Sequence, residues 1–257
     1  MHYANQTVII TGASSGIGRA LAIALANQGA RVGVIARRAE MLAELVDQVR
    51  ATGGTIEAAP ANVANREELR DAVQVLTRQL GPVDLLIANA GISEASGGDP
   101  QNVFGVERMM QVNFLGIVYA IEAVLPAMLE RKRGHLVAVS SMAAYKGLPG
   151  AAGYCASKAA VSVYCESLRI ELWPRGVAVT CLYPGFIDTP MTQTNDHPMP
   201  FLMSADAGAA RILNALPRRP GVLNFPKRMK FLMWLAKWAP DRVIRNWVPI
   251  QVAGESP

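Results

Sequence analysis

The sequence is poor in residues that cross-link or ligate metals, and it has no unbroken apolar run of membrane-spanning length. Its 257 residues contain three cysteines and three histidines. Cys155, Cys165 and Cys181 fall in no metal-ligand spacing, and an odd number argues against a disulfide framework. They read as reduced, buried thiols of a cytoplasmic protein. His2, His135 and His197 have no His or Cys partner at ligand spacing, so no metal is expected. No apolar run approaches the roughly 18 residues that a spanning helix needs. The opening MHYANQTVIITG lacks the charged leader and cleavable apolar segment of a secretory signal. Charge is scarce too, at 18% against 51% hydrophobic residues, which excludes a disordered chain and suits a globular, rather apolar one.

The net charge of +5 is unevenly spread. From Pro217 onward there are eight Lys/Arg and two Asp/Glu, so residues 1–216 carry 17 against 18. Basicity belongs to the tail, and no nucleic-acid partner is expected for the body.

What is present is an alternation. TVIIT (7–11), RVGVIA (31–36), TIEAAP (55–60), VDLLIANAG (83–91), HLVAVSS (135–141) and VAVTCLYPG (177–185) read as strands, with VLNF (222–225) a candidate seventh. Their near-continuous apolar character is that of strands covered on both faces. Helix-period segments lie between them, at 16–28, 39–52, 65–80, 106–131 and 153–173. The fold class is therefore α/β, a doubly wound parallel sheet. One main domain is assigned to 1–225 and a basic, Trp-rich helical appendage to 226–257.

After the first strand the chain turns through Gly12, Gly16 and Gly18 into a helix. Glycines there give a tight turn and close backbone approach, and the helix N-terminus faces a phosphate. Where NAD enzymes of this type end the second strand with an acid, Ala36 stands here, followed by Arg37 and Arg38. An acid repels a 2′-phosphate, whereas guanidinium pairs with it. NADP(H) is thus favoured over NAD(H).

TGASSGIG, NAG (89–91), VNFLG (112–116), SS (140–141), YCASK (154–158) and YPG (183–185) occur in this order. Together they resemble the short-chain dehydrogenase/reductase family, over nearly everything up to about residue 190. An ordinary helix face would explain a lone Tyr-x3-Lys; it does not explain all six. The resemblance implies a catalytic set of Asn113, Ser141, Tyr154 and Lys158, with Ser140 the candidate if the register is off by one. Tyr154 is implied as general acid/base. Lys158, on the same helix face, is expected to lower the phenol's pKa and to hold the nicotinamide ribose. Ser141 is implied to bond the substrate oxygen, and Asn113 to support a proton relay to the lysine. For the cofactor the resemblance implies Gly12, Ser14, Ser15, Gly16, Ile17 and Gly18 at the turn, Asn62 and Val63 near the adenine, and Asn89, Ala90 and Gly91 along the cleft. Pro184, Gly185, Ile187 and Thr189 are implied to hold the carboxamide. Asn62 departs from the family's aspartate, so modestly altered adenine contacts are expected.

Residues 186–205 fall where the family places a mobile substrate lid. Met191, Met199, Phe201, Leu202 and Met203 make the segment apolar, and it holds no Lys or Arg to clamp an anionic substrate. A hydrophobic carbonyl or alcohol is expected, reduced or oxidised with Tyr154 as proton carrier. An NAD-linked alcohol dehydrogenase and a non-catalytic cofactor-binding sensor are the alternatives. The family's habits imply a homodimer or homotetramer. In the tail, Trp234, Trp238 and Trp247 are interspersed with Lys and Arg. Three readings are open for 226–249: peripheral contact with a membrane, a roof over the active site, or a subunit joint.

Overall fold

The computed structural model describes residues 2–98, 101–193 and 198–247. His197, the middle of the 186–205 segment, and Val248 onward lie outside the described residues, as do the side chains of Asn246 and Trp247.

The first half runs β1 (Thr7–Thr11), α1 (Gly16–Ala26), β2 (Arg31–Ala36), α2 (Ala39–Ala51), β3 (Thr55–Pro60), α3 (Arg66–Leu80) and β4 (Leu85–Ala88). It continues through α4 (Val103–Met109), a π-helical turn (Met110–Leu115), α5 (Gly116–Glu130), β5 (Gly134–Val139), α6 (Ala152–Leu172) and β6 (Val177–Pro184). Two short strands, β7 (Ile187–Asp188) and β8 (Met203–Ser204), precede α7 (Ala205–Ala215) and β9 (Val222–Phe225). Helices α8 (Lys227–Trp238) and α9 (Asp241–Trp247) follow.

Seven strands pair in parallel in the order β3-β2-β1-β4-β5-β6-β9. The central strands β1, β4, β5 and β6 are buried throughout because both faces are covered, while the edge strands β3 and β9 are partly exposed. In β1, Val8 and Ile10 belong to the core beneath α1, α2 and α7. Ile9, between them, joins the core beneath α3, α5 and α6. That is period-two geometry with no solvent face left for a polar residue. The doubly wound sheet expected from the sequence is the observed one, including the seventh strand.

The strand order reverses between β1 and β4, whose ends align through Thr11 and Ala88. Such a switch point opens a crevice beyond the carboxyl ends of the strands. Strand β4 is shorter than the 83–91 run, so residues 89–91 leave the sheet and enter this crevice.

Three differences from the sequence reading concern helices. The 106–131 segment begins at Val103 and contains the π turn around Asn113. Helix α7, capped by Ser204 through the Ala207 amide, was not anticipated. And by length and composition Val103–Glu130 could cross a membrane, contrary to the expectation that no stretch could. Its place is the core: Met109, Ile117, Ala120, Ile121, Val124 and Met128 are buried, most of them against the sheet.

Candidate active site

The glycine turn after β1 leaves no room for side chains. Gly12 has φ +70°, and a Cβ there would lie 2.7 Å from the Ala90 Cα. A Cβ on Gly18 would lie 2.5 Å from the Gly12 carbonyl oxygen and 2.6 Å from Asn89 Nδ2. Asn89 locks the turn by donating to the Thr11 and Gly12 carbonyls at 3.0 and 3.2 Å. Helix α1 starts without a side-chain cap and without an acid in its first turn. Its amide end is therefore left for an anion.

Ser15 does not cap α1 because its hydroxyl is engaged elsewhere. Arg38 Nη2 donates to Ser14 Oγ and Ser15 Oγ, each at 2.9 Å, and Nε donates to Ser14 Oγ at 3.3 Å. The guanidinium is thus held flat against the turn while remaining exposed. Arg37 beside it is also exposed, and both border the same cleft. Asn62 accepts the Ala64 amide at 3.1 Å, and its own amide donates to Glu68 at 2.9 Å, fixing the bend after β3.

A cleft of about 520 Å³ runs from these arginines along the switch point. It brings together Gly12, Ser14, Ser15, Gly16 and Ile17 with Arg37, Arg38, Asn62, Val63, Asn89, Ala90 and Gly91. Ser141, Tyr154, Lys158, Pro184, Gly185, Ile187 and Thr189 border its other end. Gly18 and Asn113 lie behind the surface, where they shape it.

At the catalytic end, Tyr154 and Lys158 stand one turn apart on α6, with Lys158 Nζ 5.8 Å from the phenol ring centre. Lys158 is buried and donates to the Val139 carbonyl at the end of β5, at 2.9 Å. Ser141 faces the Tyr154 phenol across the cleft and acts on its ionisation. Its Oγ accepts the Ala143 amide at 3.1 Å, which leaves its hydroxyl hydrogen for another acceptor. Ser140 turns the other way, donating to the Lys158 carbonyl at 2.8 Å. Both serines border the cleft, Ser140 with its hydroxyl engaged within the fold and Ser141 less deeply buried.

The ionisation of the pair differs from expectation. Burial raises the Tyr154 pKa, and Ser141 offsets this only in part. The anticipated net lowering by the ammonium is not found: the shift is upward, and burial is its largest cause. Burial also lowers Lys158 itself, from 10.5 to about 8. At neutral pH the protein without dinucleotide therefore carries a protonated phenol beside a charged amine.

Asn113 is fully buried in the π turn, a distortion that often marks functional sites. Its Oδ1 accepts the Ile92 amide at 2.8 Å, and its Nδ2 donates to the Ile92 carbonyl at 2.9 Å. The same Nδ2 reaches Ser157 Oγ at 3.0 Å, and Ser157 donates to the Tyr154 carbonyl at 2.8 Å. Ser157 was missed by sequence reasoning. Its signal was a small hydroxyl one turn after Tyr154 on the same helix face. A Cβ on Gly91 would come within 3.2 Å of Lys158 Nζ and 3.3 Å of Asn113 Oδ1, so Gly91 keeps the gap between them open.

Beyond β6, Thr189 pairs with Thr192, whose hydroxyl also donates to the Ile187 carbonyl. Thr192, like Ser93, borders the cleft without having been singled out. Strands β7 and β8 pair and tie down the two ends of the intervening loop. The thiols of Cys155, Cys165 and Cys181 are all buried and unbonded to one another covalently. Among the described residues no group of three or more His, Cys, Asp or Glu could hold a metal ion.

A turn that side chains would fill, an uncapped helix end, and a cleft running from paired arginines to a tyrosine fit a nicotinamide dinucleotide. Fold and cleft together define the class: an oxidoreductase working with NAD(P)(H) on CH–OH groups. A model of the short chain dehydrogenase family matches residues 6–199. An uncharacterized oxidoreductase of Myxococcus xanthus is 39% identical over 236 residues, covering 92% of this chain and 93% of the relative. One from Listeria innocua is 38% identical over 192 residues, 74% of this chain and 77% of its own. Among solved structures, gox2181 superposes with a TM-score of 0.80 at 28% identity, covering 86% of this chain and 94% of its own. Levodione reductase does so with a TM-score of 0.80 at 23% identity, covering 87% and 96%, a likeness of fold. The chain belongs to the short-chain dehydrogenase family.

Proposed function

We propose that this protein is an NADPH-dependent reductase of hydrophobic carbonyl compounds, with Tyr154 as the proton donor. The observation that carries the chemistry is the Ser141–Tyr154–Lys158 arrangement at the sheet edge. When bound, the dinucleotide supplies the hydride that the carbonyl carbon takes up. Tyr154 Oη gives its proton to the carbonyl oxygen as charge gathers there, and its raised pKa suits a group that must hold that proton until then. Ser141 turns its single hydroxyl hydrogen to the same oxygen, which is worth most where water is excluded. Lys158, charged below about pH 8, offsets the phenolate left behind. Asn113 holds the Ile92 loop and Ser157 in place beside that amine.

The preference for NADPH rests on Arg38. Ser14 and Ser15 fix its guanidinium beside the phosphate turn, so little side-chain freedom remains to be lost on pairing with a 2′-phosphate. Arg37 adds a second cation. The apolar 186–205 segment, with Phe201 and Leu202 exposed, supports a hydrophobic substrate and a lid role. Exposed Val163, Ile170 and Trp173, on α6 and just beyond it, support a homodimer or homotetramer. A cytoplasmic protein with peripheral membrane contact through its tail is the matching location.

Titration with NADPH and NADH side by side tests this reading. Arg38→Asp is expected to weaken NADPH by about tenfold to a hundredfold, the worth of a charge-assisted contact, and to leave NADH affinity within a few-fold. Equal affinity of the unaltered protein for both dinucleotides would refute the assignment.

A further inference from the structure

Helix α8 has two apolar faces, and only one is used. Met229 and Ala236 are buried on its inner side, with Leu232 and Met233 partly so; Met229 joins the core that contains Met142 and Tyr183. At 100° per residue, Phe231, Trp234 and Trp238 fall within about 60° of one another on the opposite side. They are 62%, 56% and 73% exposed, large values for aromatic side chains. Phe231 and Trp234 stack with ring centres 6.2 Å apart, forming a continuous ridge. Lys230 and Lys237 flank the ridge on one side and Arg228 on the other, with Lys227 at its start; all four are exposed. Among the described residues none of these four forms an ion pair with an acid.

We infer that α8 is a docking face for an anionic lipid bilayer. An aromatic ridge bordered by cations matches the apolar boundary and the negative surface of such a membrane. The same pattern disfavours a second copy of this chain as occupant, because symmetric pairing of the ridges would set lysines and arginines against each other. The position of α8 gives the contact a consequence. The helix leaves the carboxyl end of β9 and packs on the Met142–Ala144 turn and near Gly185, the sheet edge that carries Ser141. Lys146 fixes the helix end by donating to the Ala239 carbonyl at 3.3 Å and to Asp241 at 2.9 Å. Among the described residues none from α8 lines the cleft, so it is a neighbour of the mouth and not its roof. Lipid docking holds that edge near the bilayer. Resting on the proposed carbonyl reduction, the substrate class is then a ketone or aldehyde that partitions into membranes.

Flotation of the full chain with phosphatidylcholine vesicles, with or without phosphatidylglycerol, tests the docking. The protein is expected to float with the anionic vesicles, with a blue shift of tryptophan emission. Joint replacement Phe231→Ser, Trp234→Ser, Trp238→Ser should abolish flotation, while NADPH affinity stays that of the parent. Lys230→Gln with Lys237→Gln should weaken partitioning by on the order of tenfold, since each cation near an anionic surface counts. The inference fails if the parent stays in solution with both vesicle types, or if the serine variant floats as well as the parent. It also fails if that variant loses subunits in lipid-free light scattering, which would give the ridge to a second copy. Flotation needs no dinucleotide, so a failed cofactor assignment would appear only in the NADPH titration.

Discussion

Replacing Lys158 by methionine should deprive the dinucleotide-free protein of a stability gain that the wild type makes between about pH 8 and 10.5, a gain the structure lets one size. The buried amine has its pKa lowered from 10.5 to about 8, chiefly by loss of water. One pKa unit corresponds to about 1.4 kcal/mol between protonation states, so holding this ammonium charged in the fold costs about 3 kcal/mol. Methionine has similar length and no charge. It also abandons the Val139 carbonyl, which costs about 1–3 kcal/mol at every pH. The two effects separate by their pH dependence.

Between pH 8 and 10.5 the unfolded chain keeps the lysine proton that the folded chain has released. The unfolded state binds more protons there, so wild-type stability rises with pH by about 1.4 kcal/mol per unit from this group. Other titrating groups are common to both proteins and cancel to first order. The expected result is a variant that matches or exceeds wild-type stability at pH 7 and falls behind it by about 2–3 kcal/mol more at pH 10. Urea unfolding at a fixed protein concentration across this range, without dinucleotide, measures the difference. Parallel stability curves would refute the reasoning, because they would mean that the amine is solvated in the fold.

Tyr154→Phe should lower turnover by about 10²–10⁴-fold, the usual worth of a positioned proton donor, while NADPH affinity measured by fluorescence stays unchanged. Carbonyl reduction should be level below the Lys158 pKa of about 8 and fall as pH rises through it; a kcat/KM profile without that falling limb would remove the amine from the mechanism. Gly18→Ala should destabilise the fold by about 1–3 kcal/mol and erase the thermal shift caused by NADPH, since its Cβ would lie 2.5 Å from the Gly12 carbonyl oxygen.

The sheet was legible because its central strands are covered on both faces, so each appears as an apolar run too short to be a helix. That Tyr154 and Lys158 meet was legible because four residues on a helix nearly complete a turn. What the sequence withheld depends on partners far along the chain. The π turn has no signature in MQVNFL; it accompanies Asn113 clasping the backbone of Ile92, 21 positions away. Helix α7 was hidden because ADAGAARILNA is rich in small residues, and its burial against α1 supplies what its own pattern lacks. The direction of the Tyr154 shift was withheld for the same reason. Proximity along α6 suggested a phenol lowered by its ammonium, but burial, which depends on the surrounding fold, raises it instead.

These long-range contacts also account for how the cleft holds its shape. Asn113 binds both backbone groups of Ile92, in the loop leaving β4, and passes a hydrogen bond to Ser157 on α6. Ser157 in turn holds the carbonyl of Tyr154, the residue whose phenol faces Ser141 after β5. Lys158 closes the circuit by binding the last carbonyl of β5. The two sides of the crevice are thereby joined through buried, hydrogen-bonded polar groups, which add rigidity when so paired. Tyr154, Ser141 and Lys158 face the cleft, and the ammonium, with one acceptor in the Val139 carbonyl, keeps donors to spare. In the proposed mechanism, positioning and polarisation fall to the amine, charged at neutral pH, and proton transfer to the phenol.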